Sequence, residues 1–504
     1  MASVAAKDAR AAITHTLREE FGQSRAEAEV VATRSLHWLR TQPGVAVPGT
    51  MRVSVPATPS RKYAGTRRTG ATVTAVDVGE DAAVRQEFGL AALQRHRLVR
   101  WIFEIYRQGG YASLLELAAW ANLTPTALGA RLAPLRGQGL WLPHLGAPTA
   151  GEHLAPEPWL VARYLQAGQA RAERALLGIR PSAWEAILER FAALTMDPAS
   201  DAAAFGLSPV EREQLLNVAE AERHNPRLAA LRQAGAGTTH GDDLETQLRV
   251  EHGFSPVAAR LYSQWLEEFS QGLRVSTLAD GQVLFFAISA DEGARAKLRE
   301  AKHLPVRLSF IAADDLALGP RSASPTKVRD LKFSRILRYT TEARVQGALL
   351  TLPDLALLLG MHVSAIRHKI KAHPEIIVPT RGSIKDIGRG VTHKARIVEL
   401  YLQMYTETEI ADRTGHSYEA IENYLRDFAR VVALRDQGLN KVMIRRVIGR
   451  SLALVEAYLA LYERYDQPDY HFRLAQLRHA FAQDEALGEK RGPRSPSRTR
   501  GRMR

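Results

Sequence analysis

The 504-residue sequence contains no cysteine, which excludes disulfide bonds and any metal site or nucleophile that depends on a thiolate. The first twenty residues lack the apolar core of a signal peptide, and no apolar run is long enough to span a membrane. The spacings HExxH, GxxxxGK and GxSxG, which mark common metal, phosphate and hydrolase sites, are also missing. We therefore expect a cytoplasmic protein without a cofactor or a metal ion.

Positive charge is the main compositional feature. The chain has 68 Lys and Arg against 54 Asp and Glu, a net charge of +14, and nucleic acid is the commonest polyanion bound by basic proteins. Part of this charge lies in residues 488–504, where seven Lys or Arg stand against one Glu. We expect this tail to be disordered and to add phosphate affinity without sequence preference, although a purely solubilising tail is an alternative.

Two segments, residues 351–370 and 406–425, share one helix-turn-helix pattern. Each begins with Thr followed three positions later by Asp or Glu, which is the spacing of a helix capping box. In such a pair a small Ala lets the helices approach, Gly takes the left-handed position at the turn, and Ile anchors the second helix. The matched residues are Ala356, Gly360 and Ile366 in the first copy and Ala411, Gly415 and Ile421 in the second.

The second helix of each copy would present the side chains that the core leaves free. Val363, Ile366 and Ile370 are expected to face inward in the first copy, as are Tyr418, Ile421 and Leu425 in the second. Arg and Asn can make bidentate contacts with base edges in a major groove. The candidate DNA contacts are therefore Ser364, Arg367, His368 and Lys371, followed by Ser417, Asn423 and Arg426.

An alternative is that these hairpins only pack. It is stronger for the second copy, since Glu419 and Glu422 would repel phosphates.

The two halves of the chain repeat one another. The run LREEFGQSRAEA from residue 17 returns as LRVEHGFSPVAA from residue 248, displaced by 231 positions. Ala118, Asn122 and Leu128 precede Ala356, Gly360 and Ile366 by 238 positions, and the run YLQ at residue 164 returns 237 positions later. Matches at nearly one displacement predict an internal duplication with a period of roughly 235 residues.

Each half follows the same predicted plan. A helical opening (8–40 and 243–271) precedes strands (51–55 with 71–78, and 282–289 with 306–311), a basic helix (93–107 and 331–344) and a helix-turn-helix unit, followed by a wing or a plain loop. The expected fold is mainly α with small β elements, internally duplicated, with multiple helix-turn-helix or winged-helix domains. The expected domains are 1–240, 241–390 and 391–482, with a basic tail at 483–504.

Further basic residues could hold a phosphate backbone. A loop at 381–396 contributes Arg381, Lys385, Arg389, His393, Lys394 and Arg396. A third helix pair, with Gly449 at its turn, contributes Arg445, Arg446 and Arg450. A solvated interdomain loop is the alternative for the first group.

The runs GRGVTHK and YLRDFARV, within residues 387–434, resemble a prokaryotic family known only as domain of unknown function 1670. The resemblance covers the second half, from about Leu244 to Phe481. It implies a helix-turn-helix protein but brings no catalytic residue and no known ligand. More loosely, the same segment is similar to the DNA-reading domains of sigma factors and response regulators, although no receiver domain or promoter-melting region is recognisable.

One segment favours an enzyme. The run ATVTAVDVGED, residues 71–81, resembles the first strand of the ribonuclease H-like nuclease and transposase fold, in which Asp77 would bind a divalent metal ion. The mechanism needs further carboxylates on other strands, and the helical sequence after Asp81 does not supply them.

We expect a DNA-binding protein without enzymatic activity, associated with the nucleoid, which regulates transcription or belongs to a mobile element. Double-stranded DNA is the expected partner, no membrane is involved, and a homodimer is allowed for. The alternatives are a plasmid-type replication initiator with two winged-helix domains, a metal-dependent nuclease or recombinase, and a protein-binding scaffold.

Overall fold

The computed structural model describes residues 9–41, 45, 48–60, 67–234, 248–249, 252–298, 301–316, 325–385, 392–414 and 416–479. The chain divides into two compact units, Met1–Arg367 and His368–Arg504. The described residues are mainly helical and include a small antiparallel sheet, which confirms that part of the predicted fold class. None of the helices in these ranges combines the length and apolar character that a membrane span requires.

The sheet of the first unit has the strand order β2-β1-β3-β4, with β5 also pairing with β3. Strands β1 and β3 meet at Met51 and Val283. We predicted a domain boundary near residue 240, but strands from both sides of it belong to one sheet. The strands are β1 Thr50–Pro56, β2 Arg68–Thr74, β3 Gln282–Ser289, β4 His303–Ser309 and β5 Ala348–Leu349.

Two glycines hold the junction between β1 and β3 in the same way. Gly49 N donates to Leu284 O at 2.6 Å, and Gly281 N donates to Arg52 O at 2.7 Å. Both glycines have positive φ, 90° and 81°, a region that L side chains rarely adopt. A Cβ at either position would also collide with a backbone carbonyl. Glycine is therefore required on both sides of the junction.

The core of the first unit contains residues from both predicted halves of the chain. Ile13 and Phe286 lie in one buried cluster, and the hydroxyl groups of Ser35 and Tyr262 are 2.6 Å apart. The helices are α1 Ala9–Glu19, α2 Arg25–Thr41, α3 Val78–Arg107, α4 Leu114–Trp120, α5 Pro125–Arg136, α6 Pro156–Ala167, α7 Arg171–Leu177, α8 Pro181–Met196, α9 Pro209–Ala221, α10 Pro226–Ala234, α11 Pro256–Gly272, α12 Ala313–Leu316, α13 Pro325–Val345, α14 Leu352–Leu358 and α15 Val363–Lys371, which continues into the second unit.

Helix α3 is longer than predicted because it begins at Val78 rather than at residue 93. The carboxylate of Asp77 caps it by accepting a hydrogen bond from Glu80 N at 2.9 Å, and Gly89, with φ of 83°, places a kink in it. The predicted apolar face of the helix, which includes Trp101 and Ile105, is buried. This confirms the prediction that these residues belong to the core.

A buried aspartate joins two arginines in each half of the first unit. Asp81 accepts hydrogen bonds from Arg97 Nε at 2.7 Å and Arg100 Nη1 at 2.9 Å. Burial alone would raise the pKa of Asp81, but the two arginines outweigh burial and lower it. The corresponding cluster consists of Asp315, Arg335 and Arg338, with Nε of Arg335 at 3.1 Å and Nη2 of Arg338 at 2.7 Å from Asp315 Oδ2.

The second unit has its own core, in which Ile397, Ile421, Phe428 and Tyr458 are almost completely buried. The expected boundary near residue 390 lies inside this unit. Its helices are α16 Arg381–Ile384, α17 Thr392–Leu402, α18 Glu407–Thr414, α19 Tyr418–Asp436, α20 Lys441–Ile448 and α21 Leu452–Tyr465, and residues 471–479 are also helical.

Candidate nucleic-acid interface

A tight turn joins α14 to α15. Helix α14 begins with the predicted capping box, in which Thr351 N donates to the Asp354 carboxylate at 2.7 Å and Asp354 N donates to Thr351 Oγ1 at 3.3 Å. Gly360 takes the left-handed conformation, with φ of 59°, and Ala356 and Ile366 are fully buried. The three matched residue types therefore occupy the positions expected from the pattern.

Helix α15 presents a polar face to solvent. Ser364, Arg367, His368 and Lys371 are exposed, and their spacing places them on one side of the helix. Within the described residues, the side chains of Arg367, His368 and Lys371 have no hydrogen-bonding or ion-pairing partner. The charges of Arg367 and Lys371 and the polar side-chain atoms of all three residues are thus available to a ligand. His362, just before the helix, is also exposed and was not among our predicted contacts.

The corresponding helix of the first half, α5, has a similar turn but an uncharged face. Asn122 replaces glycine in the left-handed conformation, with φ of 56°, and Leu128 is buried where Ile366 stands in the other copy. The exposed positions that match those of α15 are Thr126, Gly129, Ala130 and Ala133. The exposed cations of α15 are therefore not repeated in the first half.

The two turns are held together inside the first unit. Asn122 Nδ2 donates to Leu359 O at 3.2 Å, and Arg335 Nη1 donates at 2.7 Å both to Ala119 O and to Asn122 Oδ1. Gln94 of α3 also donates to Gly360 O, at 3.4 Å. These contacts fix the turn from which α15 starts.

The pair of α18 and α19 is less cationic. Thr406 and Glu409 form the predicted capping box. Asn423 is exposed, but its Oδ1 accepts a hydrogen bond from Arg426 at 3.1 Å, and Arg426 also bonds to Glu422 at 3.3 Å. Ser417 is exposed and caps α19 by accepting from Ala420 N. Gly415 lies outside the described residues.

Our prediction that Tyr418 faces inward is wrong, because its side chain is 54% exposed. Tyr418 is the first residue of α19, before the helix passes over the core. Tyr424, three positions after the buried Ile421, takes the inner position instead.

The described residues of the basic loop do not form one cationic surface. The expectation that Arg381 lies at the surface is wrong, because it is 6% exposed and begins the short helix α16. Lys385 is half-buried, Lys394 Nζ lies 5.4 Å from the Tyr424 ring centre, and Arg396 pairs with Glu399 at 2.7 Å. Arg389 and the side chain of His393 lie outside the described residues. No strand occurs at 372–380, so a plain loop, rather than a wing, follows α15 there.

The third predicted pair consists of α20 and α21, with Gly449 left-handed at the turn, φ 70°. Arg450 pairs with Asp427 at 2.7 Å. Arg445 and Arg446 are exposed, and their side chains have no partner among the described residues. They are the second group of available cations.

Residues 253–461 match the model of a family described as protein of unknown function, DUF1670. This confirms the family resemblance expected for the second half. Searches of curated proteins and of solved structures found no significant match.

The DUF1670 segment contains both groups of available cations, those of α15 and those of α20. Helix α5, with its uncharged face, lies outside it. Asp77, the candidate metal ligand, also lies outside it and serves as the cap of α3. Within the described ranges, no three His, Asp or Glu side chains are grouped as a metal site would require.

Proposed function

We propose that the protein binds double-stranded DNA, with the exposed face of α15 reading the major groove. The observation that carries this proposal is the row of Ser364, Arg367, His368 and Lys371, which lies on one face of a helix and whose cations have no partner among the described residues. Arg can bind the O6 and N7 atoms of guanine together, and Lys can neutralise a phosphate. The net charge of +14 favours the same partner.

The helix pair that carries α15 is, in this proposal, a helix-turn-helix unit. Its support is local: the capping box at Thr351, the left-handed Gly360 and the buried Ile366. Arg445 and Arg446 of α20 would provide additional phosphate contacts. The role would be that of a transcriptional regulator or of a factor belonging to a mobile element.

An internal duplication is part of the same proposal. It is supported by equivalent bonds in the two halves of the first unit. Gln108 bonds to both backbone groups of Thr72, and Gln346 bonds to both backbone groups of Arg307. Because the exposed face of α5 is uncharged, we expect only the second copy to read DNA. One chain would therefore not bind two equivalent DNA half-sites.

The test is the affinity of the full chain for labelled duplexes, measured by fluorescence anisotropy after selection of preferred sites from a random pool. Arg367→Ala should reduce the preference for selected over random duplex by about 1–3 kcal/mol, roughly 5- to 150-fold. Lys371→Ala should weaken binding to all duplexes alike and lower the salt slope by about one.

Arg136→Ala is the matched control, because Arg136 is an exposed cation at the end of α5 and lies outside the uncharged face that corresponds to the polar face of α15. It should change neither quantity. The proposal is rejected if Arg136→Ala and Arg367→Ala have equal effects. Absence of salt-dependent DNA binding by the unaltered chain would instead favour a protein-binding scaffold.

A further inference from the structure

The first half of the chain contains a partly open cavity of about 180 Å³ between α3, α6, α7, α8 and α9. Val99, Phe103, Leu160 and Ile187 supply apolar walls. An apolar protein cavity of about 150 Å³ is known to hold benzene, so this volume admits a body the size of one aromatic ring with a small polar head. Ligand sites commonly combine such walls with a few placed polar groups.

The cations around the cavity are already engaged. Arg100 donates to Asp81 at 2.9 Å and to Thr74 O at 3.1 Å. Arg107 donates to both carboxylate oxygens of Glu211, at 2.6 and 2.9 Å. An anionic ligand would have to compete with these internal carboxylates, which disfavours it.

Glu157 lines the cavity and has one carboxylate oxygen that accepts no hydrogen bond in the described structure. Its Oε1 lies 3.3 Å from Arg190 and 3.7 Å from Arg107, whereas its Oε2 is buried without a hydrogen-bond partner in the described structure. Burial raises the pKa of Glu157, and the two arginines only partly oppose this. Burial likewise raises the pKa of Glu104 on the opposite helix. A further positive charge or donor in the cavity would stabilise both ionised carboxylates.

We propose that this cavity binds a small organic cation, with an ammonium or amidinium head directed at Glu157 and an apolar body of about one aromatic ring among Val99, Phe103, Leu160 and Ile187. The residues that form it precede the DUF1670 segment. The site is therefore a property of the first half and does not depend on the proposed DNA-reading face.

The probe for this site is benzylamine, with benzyl alcohol as its neutral analogue and benzoate as its anionic analogue. Titration calorimetry of the full chain should show that benzylamine binds at least tenfold more tightly than either analogue. Glu157→Gln, which keeps an acceptor for Arg190 but removes the charge, should lower benzylamine affinity at least tenfold. Glu213→Gln, an exposed glutamate on α9, is the matched control and should bind as the unaltered chain does.

A second variant distinguishes loss of the binding site from loss of folding. Ile187→Trp keeps Glu157 but fills the cavity, so it should lose benzylamine binding while its circular dichroism spectrum stays unchanged. The proposal is overturned if benzylamine does not bind, if it binds no better than benzyl alcohol, or if Glu157→Gln binds it normally. Preferential binding of benzoate would also overturn it and would assign the cavity to anions.

Discussion

Replacing Asp315 with asparagine should destabilise the first unit by about 3 kcal/mol. Asp315 and Arg335 are 2% and 0% exposed, so the variant leaves a buried guanidinium without its counterion. Removing one partner of a buried ion pair typically costs about 3–5 kcal/mol. The lower end applies, since Arg335 keeps its bonds to Ala119 O and Asn122 Oδ1.

Tryptophan fluorescence during urea unfolding is a suitable assay because all seven tryptophans precede the second unit. The signal therefore reports on the first unit alone. Asp81→Asn, in the corresponding cluster, should have a similar effect. Arg223→Ala removes an exposed pair with Glu220 and should change stability by less than about 0.5 kcal/mol. An Asp315→Asn variant as stable as the Arg223→Ala control would refute the reasoning.

The effect should also depend on pH in a defined direction. Burial would raise the pKa of Asp315, but the bonds from Arg338 and the charge of Arg335 lower it below 3.8. A carboxyl group whose pKa is lower in the folded state stabilises the protein above its unfolded pKa, and this contribution is lost as the pH falls through the folded value. The difference between the unaltered chain and Asp315→Asn should therefore be full at neutral pH and shrink below about pH 4.

Three further predictions follow from single residues or segments. Gly360→Asn should destabilise the first unit less than Gly360→Ala in the same unfolding assay. Asn122 already adopts the left-handed conformation at the equivalent position of the first half. For most other residues, including Ala, this conformation costs about 1–2 kcal/mol. Removal of the residues after Glu489 should lower affinity for every duplex alike, and a loss confined to preferred sites would contradict the assigned role of the tail. Benzylamine binding should weaken on acidification with a midpoint above 4.5, the ordinary pKa of a glutamate, because burial raises the pKa of Glu157; a pH-independent affinity would contradict this.

Local features were predictable from the sequence because they depend on residues close together in the chain. The capping boxes at Thr351 and Thr406 and the left-handed Gly360 are of this kind. Strand β3 also has the predicted bounds, 282–289, since its near-continuous apolar run is bounded by polar residues.

The remaining features depend on tertiary contacts. No spacing in the sequence reveals that Arg335 reaches the first-half turn at Asn122, or that Glu157 lines a cavity formed by residues of five helices. The exposure of Tyr418 was mispredicted because periodicity places a residue on a helix face but does not say where the core ends. Arg381 was misplaced because a basic side chain was assumed to remain in solvent, as most do.

The contact of β1 with β3 has a consequence for any fragment limited to the DUF1670 segment. Cutting the chain at residue 253 would leave Val283 without its neighbour Met51 and would uncover Phe286, which packs in a cluster shared with Ile13. In such a fragment, the part of β3 that contacts β1 would become an exposed apolar strand edge, which is prone to aggregation. Limiting the chain to this segment should therefore lower its solubility.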